Sequence, residues 1–293
     1  MTVIRSVFVG RTGLRPGWGV ALFAVVLAIL IAARGVFLGW ARPAFGIDPD
    51  EQWVVPSFFL LFLKGSLVIL TLGATFVMAG IEHRSPWSYG LAGTRSMRNF
   101  LVGSLGGMAF CSVLVGLMVL GGGLVLDGWA LHGLAIFEYG LFWALCLLLV
   151  AFFEEILFRG YLQHTLARGM GFWPAALCSS SAFGLIHLLN SGENLPGILL
   201  VISGGVFFSL CLKLTGSLWW GIGFHSALGW AESFFYGTSN SGTAVMVGHL
   251  LDSHPTGDAL LSGGSAGPEG SIICAGLVAV FILCGAAATR LKR

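Results

Sequence analysis

Charge is what this sequence has least of. Only 10% of its 293 residues are Asp, Glu, Lys or Arg, while 56% are hydrophobic and the mean hydropathy is +0.90. A soluble domain spreads about 25% charged residues over its surface, so this shortage excludes a water-soluble globule and makes lipid the solvent for most of the outside. Disorder is excluded too, because disordered chains are rich in charge and poor in apolar side chains. No basic excess is present either: 15 Lys and Arg stand against 13 Asp and Glu, a net charge of +2, whereas nucleic acid asks for a concentrated basic face. Cysteines at metal or redox spacing are also missing. Cys111, Cys146, Cys178, Cys211, Cys274 and Cys284 each lie inside an apolar stretch without a CxxC pair, and read as small buried hydrophobes.

What is abundant is long apolar runs. Eight of them, near 18–40, 53–80, 100–126, 136–158, 172–190, 196–213, 216–236 and 271–289, approach the ~20 helical residues needed to cross ~30 Å of hydrocarbon. None alternates as a barrel strand would, and an isolated span must satisfy its own backbone hydrogen bonds, so the runs read as helices. The expected fold is an all-α polytopic membrane protein of about eight transmembrane helices, a single membrane domain over residues 1–293. The first run follows Arg5, Arg11 and Arg15, exceeds a signal-peptide core in length, and reads as a retained signal anchor. Arg5, Arg11, Arg15, Arg84, Arg95, Arg98, Arg168, Lys213, Arg290, Lys292 and Arg293 fall on one side of the spans and Arg42 alone on the other. That bias puts both termini in the cytoplasm, in agreement with an even number of spans. The Gly- and Ser-rich stretch 237–270 has no Lys or Arg and is expected as an extracytoplasmic loop. Its His249, Asp252 and His254 have the spacing of a metal site but no further residue nearby completes a ligand set, so a solvated polar loop is the expectation. No internal repeat or inverted pair of broken helices speaks for a transporter.

With so few charges available, those inside spans are informative. They are Arg34, Lys64, Glu138, Glu154, Glu155, Arg159, His187, His225 and Glu232. Arg34 and Lys64 can snorkel or pair, and Glu138 suits the positive end of its helix. Ala151-Phe152-Phe153-Glu154-Glu155-Ile156-Leu157-Phe158-Arg159 is harder to dismiss. Adjacent residues on a helix point ~100° apart, while residues four apart stack on one face, so Glu155 pairs with Arg159 and Glu154 is left to face elsewhere. A turn is signalled at Arg168-Gly169-Met170-Gly171, which extends the fourth helix to about residue 168. Glu154 precedes Met170 and His187 follows it by nearly the same number of residues, so an antiparallel hairpin sets them at one height. Ser179, Ser180, Ser181, Ala182 and Gly184 allow the two helices to approach closely there, and His225 reaches a similar depth in the seventh span. One buried carboxylate and two imidazoles can activate water: Glu154 as general base, His187 orienting the water or sharing its proton, His225 stabilising an oxyanion. The same three groups could instead ligate a divalent metal such as zinc. The residues alone leave both chemistries open.

Glu154-Glu155-x-x-x-Arg159, Phe183-x-x-x-His187 and His225, in this order, resemble the three motifs of the CPBP intramembrane proteases. That family, also called ABI, includes the type II CAAX prenyl endopeptidases and bacteriocin-processing or self-immunity proteins. The resemblance implies an eight-helix fold with a catalytic core over 100–236 and a cavity open to the cytoplasm. It implies hydrolysis of a peptide bond in a membrane-associated protein or peptide, in a cell membrane, the bacterial inner membrane by expectation. Lipid is the expected surroundings, nucleic acid is not a partner, and the oligomeric state is left open. Glu154 and His187 then activate water and His225 stabilises the oxyanion, with Glu155 and Arg159 structural. The third motif of the family usually carries Asn or Asp four residues after the histidine, whereas here that position is Gly229. Loss of an oxyanion donor costs about 3 kcal/mol elsewhere, and Glu232, on the same helix face as His225, is the sequence's substitute. Two further readings remain: a non-catalytic membrane immunity or scaffold protein, suggested by Gly229, and a proton-coupled transporter using Glu154.

Overall fold

A computed structural model describes residues 8–10, 13–45, 57–245 and 247–291. Arg5, Arg11, Lys292 and Arg293, and the first residues of the second apolar run, lie outside the described residues. Among the described residues nine α-helices of eight residues or more carry the architecture: α1 (Pro16–Ala44), α2 (Ser57–Ile81), α3 (Ser96–Leu120), α4 (Ala135–Glu154), α5 (Gln163–Met170), α6 (Phe172–His187), α7 (Leu195–Thr215), α8 (Leu218–Trp230) and α9 (Ile272–Leu291). A π-helical stretch, Glu155–Leu162, joins α4 to α5 through a kink at Gly160, and a shorter one, Ala231–Phe235, prolongs α8. Among the described residues each apolar run of the sequence contains a helix. Among the described residues six bodies are long and apolar enough to cross a membrane: α1, α2, α3, the kinked helix from Ala135 to Met170, α7 and α9. At 16 and 13 residues, α6 and α8 are shorter.

Local chemistry explains where the helices start and stop. Pro16 opens α1. Asn194 caps α7 by accepting a hydrogen bond from the Gly197 amide at 2.9 Å, which satisfies one of the free donors of the first turn. Gly216 ends α7 with φ +67°, and Ser217 at once caps α8 through the Trp219 amide, so the chain reverses within two residues. At the α5–α6 corner Gly171 has φ +83°.

The third run was expected to stay helical to residue 126. Instead α3 stops at Leu120, where Gly121, Gly122 and Gly123 release the chain, and Leu124–Trp129 becomes strand β1. It pairs antiparallel with β2 (Leu251–Pro255), from Leu124 opposite Pro255 to Trp129 opposite Leu251, with a bulge between Leu126 and Gly128. The partner lies more than 120 residues away, beyond the reach of any local pattern. The pairing ties the 237–270 stretch to the bundle, so that stretch is folded rather than a bare solvated loop. His249 meets Asp252 at 2.7 Å and His254 meets Asp127 of β1 at 2.6 Å, each imidazole taking its own carboxylate instead of converging on a shared point.

α8, which carries His225, is seated against α3 by glycines. A Cβ on Gly103 would lie 2.1 Å from the Trp220 carbonyl oxygen, one on Gly107 2.2 Å from that of Phe224, and one on Gly223 2.1 Å from that of Phe100. Backbone lies on backbone, the close approach that small residues permit between membrane helices. Gly107→Ala is therefore expected to force the helices apart at a cost of about 1–3 kcal/mol. Thermal unfolding in detergent should show it, with Gly116→Ala as the control, because nothing lies within 4 Å of that position.

Candidate functional site

The first carboxylate pair divides as helix geometry requires. Arg159 donates from Nη1 to Glu155 Oε1 at 3.0 Å, and both side chains are fully buried. The guanidinium is sandwiched by aromatic rings, its Cζ 4.1 Å from the centroid of Phe183 and 5.3 Å from that of Phe208. The pair sits in the π-helical stretch, whose chain kinks at Gly160. Wide turns of this kind are frequent at functional sites. Ser179 donates to the Phe158 carbonyl at 2.6 Å, which pins α6 to the kink.

Glu154 points elsewhere. It lines a cavity of about 260 Å³ together with His187, His225, Gly229 and Asn240. Glu154, His187 and His225 thus reach one space, and Lys64, also singled out in the sequence, lines it with them. The contact formed is between Glu154 and His225: Nε2 of His225 lies 3.5 Å from Glu154 Oε2, while its Nδ1 lies 3.3 Å from Glu155 Oε1. The His225 ring bridges the free acid and the buried ion pair, and stacks on Phe208 with centroids 5.3 Å apart. Glu154 Oε2 has no hydrogen-bond partner among the described residues.

His187 ends α6 and is nearly buried. Its Nδ1 donates to the Phe183 carbonyl at 2.7 Å. A carbonyl only accepts, so the proton of a neutral ring is held on Nδ1 and the lone pair lies on Nε2. Phe183 packs edge-on to this ring at 4.7 Å. The orientation of α6 follows from its packing on α7, where a Cβ on Gly184 would meet Ile202 at 2.3 Å.

Zinc asks for three or four donors converging on one point at about 2.0–2.2 Å each. Among the described residues no three His, Cys, Asp or Glu come together as a metal set, and His225 turns its two nitrogens towards two different carboxylates. The donors as placed do not fit such an ion, and no step below is routed through one.

The remaining lining runs towards one end of the bundle. Asn190, Ser241, Thr243 and Glu269 belong to the α6–α7 connection and to the stretch between α8 and α9. These connections are at the end opposite Arg168 and Lys213. Near this rim Glu193 is half-buried, and burial, reinforced by Glu269, raises its carboxyl above the ordinary carboxylate range.

Glu232 is fully buried, is not among the residues lining the cavity, and has neither carboxylate oxygen hydrogen-bonded among the described residues. Asn240 was not singled out in the sequence, because it sits in a polar stretch with no motif around it. The available signal was Gly229 itself, since a missing side chain beside a reactive histidine leaves room for another to enter.

A multi-pass helical membrane protein with a carboxylate and two imidazoles in an internal cavity is the class that fold and site define. Residues 136–231 match the family model described as type II CAAX prenyl endopeptidase Rce1-like, of the CPBP proteases. That segment holds Glu154, Glu155, Arg159, His187 and His225. No curated protein and no solved structure matches the chain.

Proposed function

We propose that this protein is an intramembrane endopeptidase that uses Glu154 and His187 to activate water against a peptide bond of a membrane-associated protein or peptide. The observation that carries this reading is the shared cavity: a carboxylate oxygen with no hydrogen-bond partner among the described residues, and an imidazole whose Nδ1 proton is fixed on the Phe183 carbonyl so that Nε2 presents its lone pair. In the reaction, water placed between the two groups adds through oxygen to the scissile carbonyl carbon and gives one proton to the Glu154 carboxylate. The carbonyl π pair moves onto oxygen as the tetrahedral oxyanion forms. On collapse that pair restores the C=O bond, the C–N bond breaks, and the nitrogen leaves with the proton held by Glu154. His225 keeps the carboxylate in place, and Glu155 with Arg159 keeps His225.

The chemistry of the lining sets a mainly apolar channel beside a polar rim, which suits a hydrophobic segment with its scissile bond close to the reacting groups. The test is cleavage by the purified full-length protein in proteoliposomes. Two fluorogenic peptides are offered, one ending in a farnesylated Cys-aliphatic-aliphatic-X sequence and one unprenylated but membrane-anchored. Cleavage of either that Glu154→Gln abolishes and that persists after chelation supports this reading. Cleavage lost on chelation and restored by zinc would overturn the mechanism. A protein that cleaves neither peptide would favour the non-catalytic alternative.

A further inference from the structure

The departure at Gly229 leaves a space, and another residue fills it. A Cβ built on Gly229 would lie 3.1 Å from Asn240 Nδ2 and 2.8 Å from Leu147 Cδ1. The side-chain amide of Asn240 therefore stands where a side chain at position 229 would begin, and both positions line the cavity that holds Glu154, His187 and His225. A full asparagine at 229 and Asn240 as placed would compete for this volume. Glycine at 229 is what admits the amide.

Asn240 is delivered by a rigid tight turn. The backbones of Asn240 and Thr243 exchange hydrogen bonds of 3.0 and 2.8 Å, and the two residues between them have positive φ, Ser241 at +42° and Gly242 at +72°. Positive φ at both central positions marks the tight turn whose twist suits a hairpin. The turn is clamped on several sides. Asn190 donates to the Ser241 carbonyl at 2.7 Å, the Gly192 amide to the Gly242 carbonyl at 3.0 Å, and the Gly242 amide to the Ala266 carbonyl at 3.1 Å, while the Ser241 hydroxyl meets Glu269. With all this holding the backbone, the Asn240 side-chain amide itself hydrogen-bonds to no other described residue. His225, by contrast, has both ring nitrogens directed at carboxylates. The lining offers another neutral donor without a partner among the described residues in Trp143 Nε1, but the Asn240 amide is the one that stands at Gly229, four residues from His225, on a backbone already held in place, and preorganised donors are what a developing oxyanion requires.

We propose that Asn240 is a catalytic residue of this site: its Nδ2–H, entering through the gap at Gly229, donates to the oxyanion formed when water adds to the scissile carbonyl. The proposal rests on the endopeptidase reading and gives the 237–270 stretch a share in the reaction. The carbonyl π pair that moves onto oxygen is stabilised by this hydrogen bond and returns when the C–N bond breaks, so the amide is neither oxidised nor deprotonated in the cycle.

The experiment uses the full chain in proteoliposomes and whichever of the two peptides the wild type cleaves. Asn240→Ala is expected to lower kcat about 10²–10³-fold with KM within about threefold, since the donor acts on the oxyanion rather than on bound substrate. Asn240→Asp keeps the shape and removes the donor, and is expected to fall as far with an unchanged melting temperature, which covers the case in which the alanine variant folds poorly. The swap Gly229→Asn with Asn240→Gly, which returns the amide to the helix, is expected to recover at least about tenfold over Asn240→Ala. If both single variants turn over within twofold of wild type while Glu154→Gln is inactive, the role of Asn240 is overturned and the endopeptidase reading stands. A wild type without Glu154-dependent cleavage overturns the endopeptidase reading, and the role of Asn240 with it.

Discussion

Glu154→Gln is expected to lower peptide cleavage by about 10³-fold while leaving the protein folded. The substitution keeps the size and polarity of the side chain and removes only its ability to take a proton, and general-base catalysis contributes typically 10²–10⁴-fold. Little in the fold depends on the charge. Glu154 Oε2 has no hydrogen-bond partner among the described residues, and the imidazole it contacts, His225, is 3.5 Å away and held independently by Glu155 and Phe208. The melting temperature in detergent should therefore stay within a few degrees of wild type, and KM should change much less than kcat. His187→Ala should fall by a similar factor, and the double variant should be no worse than either single one, because two groups acting on one water are not additive. Cleavage by Glu154→Gln within tenfold of wild type would remove Glu154 from the chemistry.

How far the sequence foretold this site depends on the range of the forces involved. The split between Glu154 and Glu155 was legible because it is local: residues one apart diverge and residues four apart meet, and the Glu155–Arg159 contact survives even in the widened π-helical turn. That Glu154 and His187 line one cavity agrees with their nearly equal spacing from the turn at Met170. Rotation about the helix axes was not legible. Which face of α6 meets which neighbour is decided by Gly184 against Ile202 and by Ser179 on the Phe158 carbonyl, so His187 spends its Nδ1 on its own helix and the meeting takes place between Glu154 and His225. The end of α3 at Leu120 was missed because an apolar stretch reads alike as helix or as half-buried strand, and β1 exists only by virtue of a distant β2. Asn240 was invisible for the same reason. Its place beside Gly229 is a property of the path from α8 to α9 and of the clamps on its turn, not of the residues around it.

The residue next to Glu154 should behave in the opposite way. Glu155→Ala is expected to destabilise the protein by about 3–5 kcal/mol, because it strands the Arg159 guanidinium in a site with no access to solvent. Nε and Nη2 of Arg159 already have no hydrogen-bond partner among the described residues, so the single bond to Glu155 and the rings of Phe183 and Phe208 are what offset its burial. Against a total stability of about 5–15 kcal/mol, such a loss should appear as a large drop in melting temperature and in yield from detergent. Arg159→Ala should cost less, because Glu155 keeps His225 Nδ1 at 3.3 Å. Replacing both by apolar residues of similar size, Glu155→Leu with Arg159→Met, is expected to recover most of the stability, since a buried ion pair is often no better than well-packed hydrocarbon. Activity should not return with it. His225 Nδ1 loses the carboxylate at 3.3 Å that aims the ring at Glu154, so the doubly apolar variant should be folded and still at least about a hundredfold slower. A double variant that is both stable and fully active would show that the pair serves packing alone. A folded but slow one would mean that the ion pair is kept in the bilayer for the orientation of His225, at the expense of stability that hydrocarbon would supply equally well.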